Sequence, residues 1–150
     1  MGCSELNVGN RFTEVANSAM NIETFINQIP ERFLQKMKSD LTYIETCKIP
    51  TLNKIILFGS VATGKIKKNS DIDLLIVTDV LITDRMIKAG IRDELSESID
   101  GVTTDVVFYV VDSYKNSTDL FTKQIREHGI ILWEEGDYSE IGKQLLCNSI

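Results

Sequence analysis

No apolar run in this chain is long enough to form the core of a secretory signal or to span a bilayer. A basic surplus is also missing: 16 Lys and Arg stand against 22 Asp and Glu, for a net charge of −6. A general nucleic-acid binder needs a cationic face to release counterions, so stable nucleic-acid binding is not expected. A small anion held through bound metal ions remains compatible with that charge. Cysteine is scarce and unpatterned. Cys3, Cys47 and Cys147 are odd in number, far apart and without C-x-x-C spacing. That argues against a zinc site or a disulfide framework and points to a reducing cytoplasm. There are no internal repeats and no low-complexity segment. Met1-Gly2-Cys3-Ser4-Glu5-Leu6 opens like an acylation signal, but Leu6 stands where that signal needs Ser or Thr. Asn116-Ser117-Thr118 fits a glycosylation acceptor and reads more simply as a helix cap.

What is present is ordinary globular material. With 43% hydrophobic and 25% charged residues, 150 residues suffice for one domain with a core. Phe33, Leu34, Met37, Leu41 and Ile44 recur at helical spacing, with Pro30 suited to the first turn and Pro50 beyond the end. An earlier helix is expected over Phe12 to Gln28. Lys54 to Phe58 and Asp71 to Val77 read as strands, the second with one polar end. Thr83 to Ile99 reads as a helix capped by Thr83 or Asp84, with Met86, Ile87, Ile91 and Leu95 on one face. Thr103 to Val111 is β-branched and aromatic, a third strand. Ser117 to His128 reads as a helix with Leu120, Phe121 and Ile125 inward and Gly129 as a left-handed cap. Ile130 to Trp133 is a fourth short strand, followed by a polar tail helix. The alternation predicts a mixed α and β fold, with a helical extension over residues 1–50 and the main domain over 51–150.

The stretch FGSVATGKIKKNSDIDLLIV (58–77) supports two designs. From Gly59 it nearly spells a P-loop. That motif needs Ser or Thr after the lysine to meet Mg²⁺, and Ile66 stands there. It also needs a helix beginning at Gly-Lys. Few residues separate Lys65 from the next strand, and Lys67-Lys68-Asn69-Ser70 looks like a turn. The other design uses Gly59 as a sharp corner after a strand, where a phosphate meets bare backbone, with the Ser60 hydroxyl beside it. Residues i and i+2 of a strand share a face, so Asp71 and Asp73 project together about 7 Å apart at Cα. Two carboxylates that close repel unless a cation lies between them, and Mg²⁺ takes such oxygen ligands alongside substrate phosphates. Asp105, the one acid in Thr104-Asp105-Val106-Val107, converges with them if its strand lies next to theirs.

Gly59-Ser60, ten residues, then Asp71-Ile72-Asp73 resembles the signature of the DNA polymerase β-like nucleotidyltransferase superfamily. LFGSVATGKIKKNSDIDLLIV is similar to its minimal nucleotidyltransferase branch, and REHGIILWE to the end of the minimal domain. The resemblance covers Lys54 to Trp133. It implies an α/β (α+β) palm-like fold, a mixed sheet of about four strands backed by helices. It also implies an NTP donor such as ATP, two Mg²⁺ ions and transfer of a nucleoside monophosphate to a hydroxyl. By that resemblance Gly59 and Ser60 hold the β- and γ-phosphates. Asp71 and Asp73 ligate both metals, and Asp105 ligates the catalytic metal and acts as base. Family loops often carry Arg between the serine and the acids. Here only Lys65, Lys67 and Lys68 do, and a lysine grips phosphate without a bidentate fork. Ser70 is a phosphate contact or a turn cap.

Several other residues have plainer readings. Arg85 and Arg126 read as surface helix charges before nucleotide contacts. His128 suits a helix C-terminus. Trp133 reads as core before a base-stacking platform, and Tyr109 shares a strand face with Asp105. The minimal branch pairs with HEPN-type toxins, so the resemblance implies an antitoxin that adenylylates a tyrosine of such a partner. A small-molecule nucleotidyltransferase with an acceptor site shared across a homodimer is the second expectation. A non-catalytic nucleotide-binding interaction module is the third.

Overall fold

A computed structural model describes residues 18–147 of the chain, with side chains from residue 22. The acylation-like opening, Cys3 and the start of the helix expected from Phe12 lie outside those residues. Among the described residues the chain forms a mixed α/β fold with five strands and seven helices. Helix α1 (Ser18–Gln28) turns into α2 (Glu31–Cys47), with Pro30 at the N-cap and Lys48 closing the far end in the left-handed region. Then follow β1 (Leu52–Phe58), the short α3 (Gly59–Thr63), β2 (Ile72–Thr78), α4 (Arg85–Leu95), β3 (Thr104–Val110), α5 (Val111–Asn116), α6 (Leu120–His128), β4 (Ile130–Glu134), β5 (Asp137–Tyr138) and α7 (Glu140–Cys147). Across the sheet the order is β3-β2-β1-β4-β5. The β2–β3 pair is parallel and the other pairs are antiparallel. No described helix is long and apolar enough to cross a membrane.

Strand alternation splits the sheet into two unequal faces. On one, Ile55, Leu57, Ile72, Leu74, Ile76, Val106 and Leu132 merge with the apolar stripes of α1, α2, α4 and α7 into one large core. Helix α2 supplies Phe33, Met37, Leu41 and Ile44, buried as its 3.6-residue period requires. On the other face a small cluster gathers Ile56, Leu75, Val77 and Ile125 of α6, edged by Phe58, Val107 and Tyr109.

A charged knot lies within the larger side. Lys36 and Asp40, one turn apart on α2, are 1% and 3% exposed. The Lys36 ammonium donates to Asp40 Oδ1 and to the Leu95 carbonyl at the end of α4, both at 2.7 Å. Thr104, the first residue of β3, donates its hydroxyl to the other Asp40 oxygen. Burial pushes the Asp40 carboxyl up, while the Lys36 and Thr104 bonds pull the other way. This knot joins α2, α4 and β3 at one point.

Several expected elements differ from what forms. Helix α4 stops at Leu95, short of Ile99. The Asp100-Gly101 pair, both at positive φ, instead turns the chain so that Ile99 and Val102 exchange hydrogen bonds. The cap is Asp84, which accepts from the Met86 amide. Met86 itself is 78% exposed, because the buried stripe runs Ile87, Ile91, Leu95 at four-residue spacing. The expected helix from Ser117 is two helices, α5 and α6. Asp119 caps α6, accepting from the Thr122 amide, and Ser117 donates its hydroxyl to Asp119. Leu120 and Phe121 point outward, for Thr122 and Ile125 form the inner face. Gly129 is not left-handed: its φ is −69. A Cβ there would stand 2.6 Å from the Ile125 carbonyl and 2.7 Å from Ile56, so the position is held by close packing of α6 on β1. The tail helix is not polar, since Ile141 and Leu145 are buried in the core. A short fifth strand precedes it, reached by a Glu135-Gly136 turn at positive φ.

Candidate active site

The β1–β2 register sets Phe58 opposite Asp73, and the β2–β3 register sets Asp73 beside Asp105. Directly paired residues lie on one side of a sheet. A row Phe58–Asp73–Asp105 therefore crosses three strands on the thinly covered face. Asp71 stands two residues before Asp73, just outside β2. Its Oδ1 accepts a hydrogen bond of 2.8 Å from the Thr103 hydroxyl, just ahead of β3. Asp71 and Asp105 are exposed, and Asp73 is half-buried between them. Burial first, then the charges of Asp105 and Asp71, pushes the Asp73 carboxyl up to about 6.

Gly59 explains how Asp73 reaches this place. Its φ is +79, a conformation that glycine adopts without cost. A Cβ built on it would lie 2.2 Å from Asp73 Oδ2. The room left by the missing side chain is filled by this carboxylate. Ser60 follows in the first turn of α3 and is half-buried. Helix α3 has five residues and closes at Gly64, φ +79, with the Lys65 amide donating to the Ser60 carbonyl. Helix and loop are thus unlike a P-loop, which continues into a long helix, and Ile66 packs toward the core.

The remaining candidates separate. Lys65 is exposed on the loop after α3. Ser70 caps a turn: its hydroxyl accepts from the Lys67 amide at 2.7 Å, and its amide donates to the Lys67 carbonyl. Tyr109 lies on the acid-bearing face with its hydroxyl 3.1 Å from Thr122 Oγ1, joining β3 to α6. Arg126 donates to the Tyr114 carbonyl, a structural bond between α6 and α5. Arg85 and His128 are exposed. Trp133 packs against the large core, on the far side of the sheet from the acids.

The sequence pattern does not single out Phe58, the register partner of Asp73, or Phe121, which packs on Phe58. Their rings meet edge to face at 5.6 Å between centroids. It also missed Thr103 as partner of Asp71, since nothing in the one-dimensional pattern sets the start of β3 beside the end of the preceding loop.

The three carboxylates carry hard oxygens of the kind a divalent cation takes. After burial, the charges of Asp105 and Asp71 both act on Asp73. Among the described residues no three His, Cys, Asp or Glu side chains stand close enough, as placed, to share one ion.

Residues 42–138 match the family described as polymerase beta, nucleotidyltransferase. A solved structure described as a toxin–antitoxin with AMP-PNP aligns at 21% identity over 73% of this chain and 80% of its own, with a TM-score of 0.50. A putative nucleotidyltransferase from Sulfolobus solfataricus aligns at 16% identity over 79% and 92%, also at 0.50. A variant of the MntA–HpeT toxin–antitoxin aligns at 18% identity over 73% and 80%, at 0.49. At these identities the likeness is one of fold. No curated protein matches the chain by sequence.

Proposed function

This chain belongs to the polymerase beta nucleotidyltransferase family, and on that premise we propose that it moves AMP from ATP to a hydroxyl on a protein partner. The observation that carries the proposal is the register that sets Asp73 beside Asp105 while Gly59 yields its side-chain space to Asp73. In this reading the triphosphate is held along the backbone at Gly59 and Ser60, with Lys65 near its outer oxygens. Asp71, Asp73 and Asp105 are the residues that would hold Mg²⁺. When bound, two such ions would neutralise the triphosphate and the departing pyrophosphate. The acceptor hydroxyl attacks the α-phosphorus, a new P–O bond forms, and the bond to the β-phosphate oxygen breaks. Asp105, exposed at the edge strand, takes the hydroxyl proton. Attack and departure lie in line, so the acceptor enters from the β3 side while pyrophosphate leaves toward Gly59.

The acceptor is proposed to be a tyrosine of a toxin partner of the HEPN type, silenced by the modification. The fold neighbour described as a toxin–antitoxin with AMP-PNP supports that choice over a free metabolite. The test is incubation with each α-labelled NTP, Mg²⁺ and a lysate of the source cells. One protein should become labelled, from ATP, and only when the chain is active. Label on a small molecule instead would overturn the acceptor. A variant Asp71→Asn that keeps most of the activity would overturn the site.

A further inference from the structure

The acid-bearing face ends in an apolar rim that the transfer chemistry does not use. Leu120 is 70% and Phe121 44% exposed, although both sit on a helix whose neighbours Thr122 and Ile125 are buried. Phe121 stands edge-on against Phe58, and Phe58 is the register partner of Asp73. Thr122 bonds Tyr109, and Asp119 caps the helix at its start. Phe121 is therefore held on a fixed turn against Phe58, whose register partner is Asp73. An aromatic ring left partly exposed while fixed against the register partner of Asp73 is placed to meet a flat ligand.

We propose that Phe121, propped by Phe58 and flanked by Leu120, is the platform on which the heterocyclic base of the donor nucleotide rests. The inference deepens the nucleotidyltransferase reading and rests on it. Acceptor, α-phosphorus and leaving pyrophosphate occupy a line from β3 across β2 to β1. The nucleoside, attached at the α-phosphorus, must leave that line sideways. Along the strands from Asp73 the face descends to Leu75 and Val77, which α6 covers, so a nucleoside turning that way meets the start of α6. Phe121 contacts Phe58 on β1, the strand that leads into the phosphate corner, which favours the donor over the acceptor as occupant. A partly exposed aromatic ring offers a surface on which a base can stack and adds affinity for the nucleoside. Trp133, the other large aromatic considered for this role, is on the opposite face.

Binding of ATP and of tripolyphosphate, each with Mg²⁺, is measured by calorimetry on the whole chain. Phe121→Ala should weaken ATP about 10-fold or more and leave tripolyphosphate unchanged, because only ATP carries a base. Phe121→Leu keeps an apolar side chain without a flat ring and should weaken ATP likewise, whereas Phe121→Tyr should retain it. Thermal melting confirms that the variants are folded. The KM for ATP should rise while kcat holds. Equal loss for both ligands, no loss for either, or a rise in acceptor KM with ATP binding intact would overturn the platform. If the unaltered chain binds neither ligand, the nucleotidyltransferase reading falls and the platform with it.

Discussion

The two faces of one sheet are built to opposite ends. The face under α1, α2, α4 and α7 excludes water from a continuous core that includes Phe33, Leu41, Ile55, Leu74 and Leu132. The face under α6 buries a cluster of four apolar residues among those described and leaves its upper row to Asp73 and Asp105. A residue and its neighbour along β2 serve different needs: Ile72 and Leu74 are 0% and 1% exposed, while Asp73 between them faces two other acids. Stability is concentrated on one side, so the other can carry like charges that oppose folding.

Breaking the covered face should cost most. Phe33→Ala removes a fully buried ring from α2 and should lower stability by about 3–5 kcal/mol. Denaturant unfolding measures the loss, and specific activity per folded molecule should be unchanged. Next is the buried knot. Lys36→Met strands the Asp40 carboxylate and should destabilise by about 3 kcal/mol, and adding Asp40→Leu should recover most of it. If the single variant matches the unaltered chain, the pair is not holding α2 to α4.

The open face should respond in the reverse sense. Asp71→Asn should cut transfer at least about 100-fold, since even residues that merely support metal ligands commonly cost 10–100-fold. Its melting temperature should stay within a degree or two, about what a surface substitution does. A large drop in melting temperature would mean that the Thr103 bond to Asp71 is structural.

The smallest effect is a pH signature. In the folded chain Asp73 titrates at about 6, above the ordinary 3.8. Between those values the folded chain keeps a proton that the unfolded chain has released. Stability of metal-free protein should therefore fall as pH rises through that window and level off above it. The group is half open to solvent, so the contribution is below about 1 kcal/mol. Unfolding midpoints at the two ends of the window measure it, and Asp73→Asn should reduce the difference, with Asp40, also raised by burial, left in place. A rise in stability across the window would reverse the assignment of Asp73 as the strained member.

Much of this was legible in one dimension. The stripe of α2 and the strands at Lys54–Phe58 and Asp71–Val77 follow from periodicity, which is a local property of the chain. The Gly59-Ser60 corner and the Asp71-Ile72-Asp73 pair follow from spacing within twenty residues. The alternation of strand and helix was enough for the class. What failed was side-chain direction at helix starts, where Met86, Leu120 and Phe121 read as inward and are not. A helical stripe shifts by a third of a turn with one residue, and only the packing partner selects which third is covered.

By itself the chain determined which residues carry charge, where the four longer strands form, and that a glycine corner precedes a carboxylate pair, because short-range sterics and hydrophobic period settle these locally. Tertiary structure alone decided that Asp105 lies beside Asp73, that the space at Gly59 belongs to Asp73, and that Phe121 meets Phe58. Strand order and register join residues tens of positions apart, and no local propensity contains that information.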